Sequence, residues 1–114
     1  MHELGIVFHL IDTLGEVARE NELTSIGRVT LEVGEVSGVL GDYLQDCWRW
    51  AADRTDLLHG AELDVRELPA TTVCNACGRT YPTLAHGKTC PHCGSDRTEL
   101  LSGLEIQIVS VEGV

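Results

Sequence analysis

Positive charge is what this chain has least of. Its 114 residues carry 8 Lys and Arg against 18 Asp and Glu, a formal net charge of −10. Phosphate backbones are held by clustered cations, and with so few the expected partners do not include nucleic acid. A basic or neutral protein surface fits better. Aromatics are also scarce: Phe8, Tyr43, Trp48, Trp50 and Tyr81 are the whole set. No apolar run approaches the ~18 residues of a membrane span, so a membrane is not an expected partner either. The opening Met1-His2-Glu3 lacks the basic-then-apolar order of a signal peptide, and the expected address is cytoplasmic. In a reducing compartment, paired cysteines favour metal or redox roles over structural disulfides. No spacing suggests a nucleophile–base pair or an open metal site, so the chain does not read as an enzyme.

What the chain does have is cysteine in pairs. Cys74-Asn-Ala-Cys77-Gly and Cys90-Pro-His-Cys93-Gly each place two thiols on one tight turn, with a glycine after each for the sharp bend. The segment Gly78–Thr89 is long enough to fold back and present the second turn opposite the first. Four thiolates converging on a point suit tetrahedral Zn(II) at about 2.3 Å per sulfur, and they leave no position for catalytic water. Cys74, Cys77, Cys90 and Cys93 are therefore expected to form a closed structural site. The alternative is a redox switch that loses zinc on oxidation.

The rest of the chain alternates helix and strand signals. Leu4, Val7, Phe8, Ile11, Leu14 and Ala18 fall at helical spacing over residues 4–20, which Asn21 and Glu22 end. Val29, Leu31 and Val33 alternate with Arg28, Thr30 and Glu32 in a strand over 26–36. Asp42 and Gln45 form a capping-box pattern at the start of a second helix, 42–55, with Leu44, Cys47, Trp48 and Ala51 on its apolar face. Ala61, Leu63 and Val65 mark a second strand. Leu104, Ile106 and Ile108 mark a third, with a phase shift at Val109 and Val111 that suggests a bulge. Residues 70–100 hold too few apolar residues for a core and need metal to fold. The expected fold is α+β: two helices on a three-stranded mixed sheet, with a zinc-ribbon module inserted before the last strand. Residues 1–69 and 101–114 form the body and 70–100 the ribbon.

Among the remaining thiols and imidazoles, Cys47 reads as a buried, inert thiol. His9 and His59 read as surface or capping groups, and His86 and His92 as ribbon-surface residues, with a transient metal contact by one of the latter two as the alternative. His2 is different, because its imidazole stands beside a free α-amine and the first backbone amides. Nitrogen donors in one plane suit Ni(II) or Cu(II). By position alone an ordinary surface histidine is the competing reading.

Several motifs occur together and in order: Met1-His2-Glu3-Leu4, Leu31-Glu32-Val33-Gly34-Glu35-Val36-Ser37-Gly38-Val39, Gly60-Ala61-Glu62-Leu63, the double knuckle, and Ser102-Gly103. The combination resembles the HypA/HybF family of hydrogenase nickel-incorporation proteins over nearly the whole chain. The resemblance implies a nickel metallochaperone for [NiFe] hydrogenase maturation. It implies Ni(II) cargo held by the His2 imidazole, the Met1 amine and the Glu3 backbone amide. It implies structural Zn(II) on Cys74, Cys77, Cys90 and Cys93. The implied partners are the GTPase HypB and the hydrogenase large-subunit precursor, with urease maturation proteins for some members, acting on a monomer or weak homodimer. Phe8-His9 and Trp48-Arg49-Trp50 are unlike the family pattern and fall where a partner surface would be altered. The alternative is a zinc-ribbon module for protein–protein interaction or redox sensing, without a nickel role.

Overall fold

In the computed structural model, which describes residues 3–114, the first helix buries a slightly different stripe from the one the spacing suggests. Helix α1 (Glu3–Glu20) buries Val7, Leu10, Leu14 and Ala18. Leu4 and Phe8 stay exposed. Leu10 takes the place they would have held, because one stripe at 3.6-residue period cannot include both sides. Burying side chains of this size stabilises by roughly 1.5–3 kcal/mol each, and Leu14→Ala would cost about 2–5 kcal/mol. The helix ends in a Schellman turn: Leu23 N–H donates to Ala18 O at 2.8 Å and Glu22 N–H to Arg19 O at 3.4 Å. Glu22 adopts the left-handed conformation there (φ 56°), where glycine is usual.

Strand β1 (Ile26–Gly34) is central in a three-stranded sheet of order β2-β1-β6, with β2 spanning Glu62–Leu68 and β6 Ile106–Gly113. Val29, Leu31 and Val33 are buried as the alternation expects, and Thr30 is buried with them. A central strand is covered more completely than an edge. On the exposed side Arg28 bridges both neighbours, reaching Glu62 at 2.9 Å and Glu112 at 3.5 Å. The burial phase along β6 shifts: Ile106, Ile108 and Val111 are the half-buried positions, consistent with the irregularity read at Val109.

Helix α2 (Gly41–Ala52) packs against α1 and buries Leu44, Cys47, Trp48, Ala51 and Ala52. The expected capping box does not form. Leu40 is the N-cap and offers no side-chain bond. Its N–H instead donates to the buried Glu3 carboxylate at 3.0 Å, a cap delivered from the first turn of α1. Asp42 lies inside the first turn, where its charge favours the helix N-terminus. Gln45 is drawn away by a tertiary acceptor, donating from Nε2 to Leu63 O at 2.6 Å. Trp48 Nε1–H likewise donates to Ala61 O at 2.9 Å, satisfying the polar end of a fully buried ring.

The chain divides into two compact units, residues 1–31, 38–66 and 108–114 in one, and residues 32–37 and 67–107 in the other. The second unit contains a sheet that the apolar pattern does not announce, of order β4-β3-β5. Its strands are β3 (Thr71–Cys74), β4 (Thr80–Pro82) and β5 (Thr98–Ser102), with the short helix α3 (Thr83–His86) following β4. Both pairings are antiparallel, with Thr72 opposite Tyr81 and Leu100. The 32–37 segment joins this unit through backbone bonds: Gly34 N–H to Glu105 O at 2.7 Å, Glu35 N–H to Leu68 O at 2.8 Å and Val36 N–H to Gly103 O at 2.9 Å. Gly34 has no room for a side chain, since a Cβ there would stand 2.0 Å from Gly103 O. Gly103 is itself at φ +114° with Ala70 against it. This contact gives the Leu31–Val39 motif a physical reason for its first glycine.

Candidate metal centre

The two cysteine pairs sit on matching turns. β3 delivers Cys74, whose N–H donates to Arg79 O at 2.9 Å while Gly78 N–H returns to Cys74 O at 2.7 Å. In the second turn Cys90 N–H donates to Ser95 O at 2.9 Å and Gly94 N–H returns to Cys90 O at 2.8 Å. Gly78 and Gly94 take φ values of 78° and 76°, the left-handed corner each turn requires. Cross-links hold the turns in place: Asn75 N–H to Arg97 O at 2.8 Å, Thr98 Oγ1 to Lys88 O at 2.9 Å, and Tyr81 Oη to Gly87 O at 2.9 Å.

The result is a cluster of four sulfurs, all within 4.8 Å of one another. Cys74 and Cys93 Sγ are 3.6 Å apart, and Cys77 and Cys90 Sγ are 3.7 Å apart. A tetrahedron with metal–sulfur bonds of about 2.3 Å has edges of about 3.8 Å, whereas a disulfide needs about 2.05 Å. The spacing fits a metal at the centre and not a pair of disulfides. Cys74 and Cys90 are buried and form a small core with Tyr81, while Cys77 and Cys93 are exposed and close the cluster on the solvent side. His92 N–H donates to Cys90 Sγ at 3.4 Å, the amide-to-sulfur contact that steadies a thiolate.

The thiols differ in proton affinity. The Cys77 backbone N–H, acting against burial and assisted by Ala76 N–H and the Cys93 and Cys77 sulfurs, lowers Cys74 to about 7. At Cys93 the Ser95 backbone N–H favours the thiolate. The neighbouring Cys74 sulfur, desolvation and the Cys90 and Cys77 sulfurs outweigh it and raise that thiol to about 11. Adjacent thiols resist joint ionisation, so four thiolates together call for a cation among them.

The other expected ligands and histidines are placed as follows. Met1 and His2 lie outside the described residues. Glu3 opens α1, its carboxylate buried and bound to Leu40 N–H. His86 is exposed and stacks edge-on against Tyr81, with ring centroids 5.8 Å apart. His92 is exposed, and its contact with the cluster is the backbone N–H to Cys90 Sγ. His9 is exposed on α1, and His59 Nδ1 lies 3.2 Å from Asp53 O beyond the end of α2, as capping groups do. Cys47 is buried in the helix pair, as expected of an inert thiol. Sequence reasoning missed Tyr81 as the buried partner of two of the cysteines. An isolated aromatic four residues beyond the first knuckle was the available signal.

The comparisons with known proteins agree with this geometry. Residues 1–113 match the family described as "Hydrogenase/urease nickel incorporation, metallochaperone, hypA". The chain is 39% identical to the hydrogenase maturation factor HypA of Chlorobium phaeobacteroides over 97% of each chain. It is 38% identical to that of Streptomyces avermitilis, over 97% of this chain and 86% of the relative. Its fold is that of the solution structure of the Ni metallochaperone HypA from Helicobacter pylori, with a TM-score of 0.78 and 24% identity over 100% of this chain and 98% of the other. With its four-cysteine metal site and a match along almost its full length, this chain belongs to the HypA family of nickel-incorporation metallochaperones.

Proposed function

We propose that the protein carries Ni(II) at its N-terminus and delivers it during [NiFe] hydrogenase maturation, while Zn(II) on Cys74, Cys77, Cys90 and Cys93 is structural. The observation that carries the reading is the family match over residues 1–113, which takes in Met1-His2-Glu3 together with the closed four-sulfur cluster. The cluster itself is unsuited to cargo. Four thiolates fill a tetrahedral zinc shell, and losing the metal would cost the second unit its folding free energy, of the order of 10–16 kcal/mol in such sites.

A terminal donor set suits cargo. The Met1 amine, the His2 imidazole and the Glu3 backbone nitrogen are sequential donors that can share one ion in fused rings, a set suited to square-planar Ni(II). Glu3 is the first residue of α1, and a helix does not use its first N–H groups in its own hydrogen-bond ladder. Coordination through that nitrogen therefore breaks no helical bond. The proposed partners are the GTPase HypB and the hydrogenase large-subunit precursor, or urease maturation proteins, and the proposed compartment is the cytoplasm; membership of the hydrogenase and urease nickel-incorporation family supports this reading. No catalytic step belongs to it.

Metal analysis of the native protein with an unmodified N-terminus tests the proposal. One tightly held zinc plus one exchangeable nickel per chain is the expected result. Zinc alone, with no nickel uptake at micromolar Ni(II), would favour an interaction module without a nickel role.

A further inference from the structure

The metal site and the N-terminal motif leave one feature without a role, the aromatic surface that α1 and α2 present to solvent. Phe8, Tyr43 and Trp50 are 47%, 52% and 49% exposed, and Leu4 and Leu40 are exposed beside them. The same helices already bury Val7, Leu10, Leu14, Leu44, Trp48 and Ala51, so these residues are surplus to the core. They fall at helical spacing, Leu4 and Phe8 on α1, and Tyr43 and Trp50 on α2 with the buried Cys47 between them, and so form one apolar stripe per helix. A large exposed apolar patch on a small protein marks an interaction site.

The patch is shaped and held in place. The Phe8 and Trp50 rings meet edge to face, with centroids 6.4 Å apart and planes at 67°. The Arg54 guanidinium lies 3.8 Å over the Trp50 ring and also donates to Trp50 O. Fixing the ring beforehand reduces the entropy lost on binding. Leu4, Tyr43, Asp46, Cys47 and Trp50 line a cleft of about 210 Å³. Small-molecule sites are typically about 300–1,000 Å³, so this cleft suits a single protruding side chain instead. Next to it, sharing Tyr43 and Asp46, is a wider hollow of about 530 Å³ that also includes Leu40, Gly41 and Asp42. One apolar slot thus adjoins two carboxylates. Arg49 approaches Asp46 at 3.7 Å, but both groups are largely exposed and such a pair contributes little, leaving Asp46 open to a competing cation.

We infer that this face docks an amphipathic basic helix of a partner protein, one apolar side chain entering the Leu4–Tyr43–Cys47–Trp50 slot and Lys or Arg side chains lying over Asp42 and Asp46. Charge selects this occupant. On a chain of net charge −10, a second copy would bring its own Asp42 and Asp46 against these, and an anionic lipid surface would be repelled. Helix-in-groove recognition uses anchors at the spacing these stripes offer.

The test uses the zinc-loaded full chain and two synthetic helical peptides of about sixteen residues. Both carry leucines at i, i+4 and i+7; one is flanked by lysines and the other by glutamates. Amide chemical-shift mapping should place the lysine peptide at Leu4, Phe8, Tyr43, Asp46, Cys47 and Trp50. Trp50→Ala should weaken it at least about tenfold. Asp42→Asn combined with Asp46→Asn should weaken it about threefold or more, with the difference shrinking at high salt. These side chains are outside the core, so unchanged zinc content and far-UV circular dichroism will confirm that each variant folds. The inference is overturned if the lysine peptide does not bind, if both peptides bind alike, or if the shifts fall elsewhere. It is also overturned if the wild type sediments as a dimer that Trp50→Ala converts to a monomer, since a second copy would then cover the face.

Discussion

Replacing Gly34 with alanine should be among the most damaging single-methyl additions in this protein. The new Cβ would stand 2.0 Å from Gly103 O and 2.3 Å from its carbonyl carbon. That is about 1.5 Å short of an optimal separation of roughly 3.5 Å, and the obstruction is backbone, which cannot rotate aside. Separating the two segments strains or breaks Gly34 N–H to Glu105 O and Val36 N–H to Gly103 O. Each such bond contributes about 0.5–1.5 kcal/mol net, and overpacking costs about 1–3 kcal/mol. The expected loss is about 2–6 kcal/mol. Two other glycines calibrate it. Gly38→Ala meets open space but keeps φ near +80°, so it should cost only about 1–2 kcal/mol. Gly41→Ala meets nothing and needs no positive φ at the start of α2, so it should be neutral or stabilising by up to about 1 kcal/mol. Urea denaturation of the zinc-loaded variants gives the free energies, and hydrogen exchange at Gly34 and Val36 gives the site. Gly34→Ala within about 0.5 kcal/mol of wild type would refute the close-approach argument.

Glu22→Gly should stabilise: the left-handed conformation costs a residue with a side chain about 1–2 kcal/mol and glycine's entropy returns part of that, so a thermal melt should rise by a few degrees. Glu105 accepts Gly103 and Leu104 N–H at 2.8 and 3.0 Å, and its own N–H, then those of Gly103 and Leu104, hold its carboxyl below the ordinary 4.5. Its contribution is therefore present above pH 4.5 and lost as pH falls through the lower folded value, so Glu105→Gln should destabilise at pH 7 and flatten acid unfolding curves below that pH. Cys90→Ser should abolish stoichiometric metal binding and hydrogen-exchange protection in β3, β4 and β5, while the helical circular dichroism of α1 and α2 persists; retained metal at full stoichiometry would refute the four-sulfur site.

Most of the first unit is legible in the sequence because its elements are periodic. Val29, Leu31 and Val33 in β1 and Leu44, Cys47, Trp48 and Ala51 in α2 are buried as their spacing implies. The four cysteines are legible too, since a two-residue gap and a following glycine are local geometry. What is not legible is mostly tertiary. The strands β3, β4 and β5 have no apolar alternation to advertise them; they are organised around sulfurs and Tyr81 rather than a conventional core. The Asp42–Gln45 capping box reads well locally but loses to Leu63 O and to the Glu3 carboxylate, acceptors that only the folded chain supplies. Phe8 fits a helical stripe by spacing, yet the helix turns Leu10 inward and leaves Phe8 beside Trp50.

The central claim is that cargo is held at His2 and not by the cysteines. Calorimetric titration of Ni(II) into the zinc-loaded wild type, His2→Ala, and a form with one residue added before Met1 addresses it directly. The account predicts one nickel per wild-type chain, with affinity falling as pH drops through about 6–6.5, where imidazole protonates. Both altered proteins should lose that affinity while keeping zinc and fold. Unchanged nickel affinity in His2→Ala and in the extended form would contradict it.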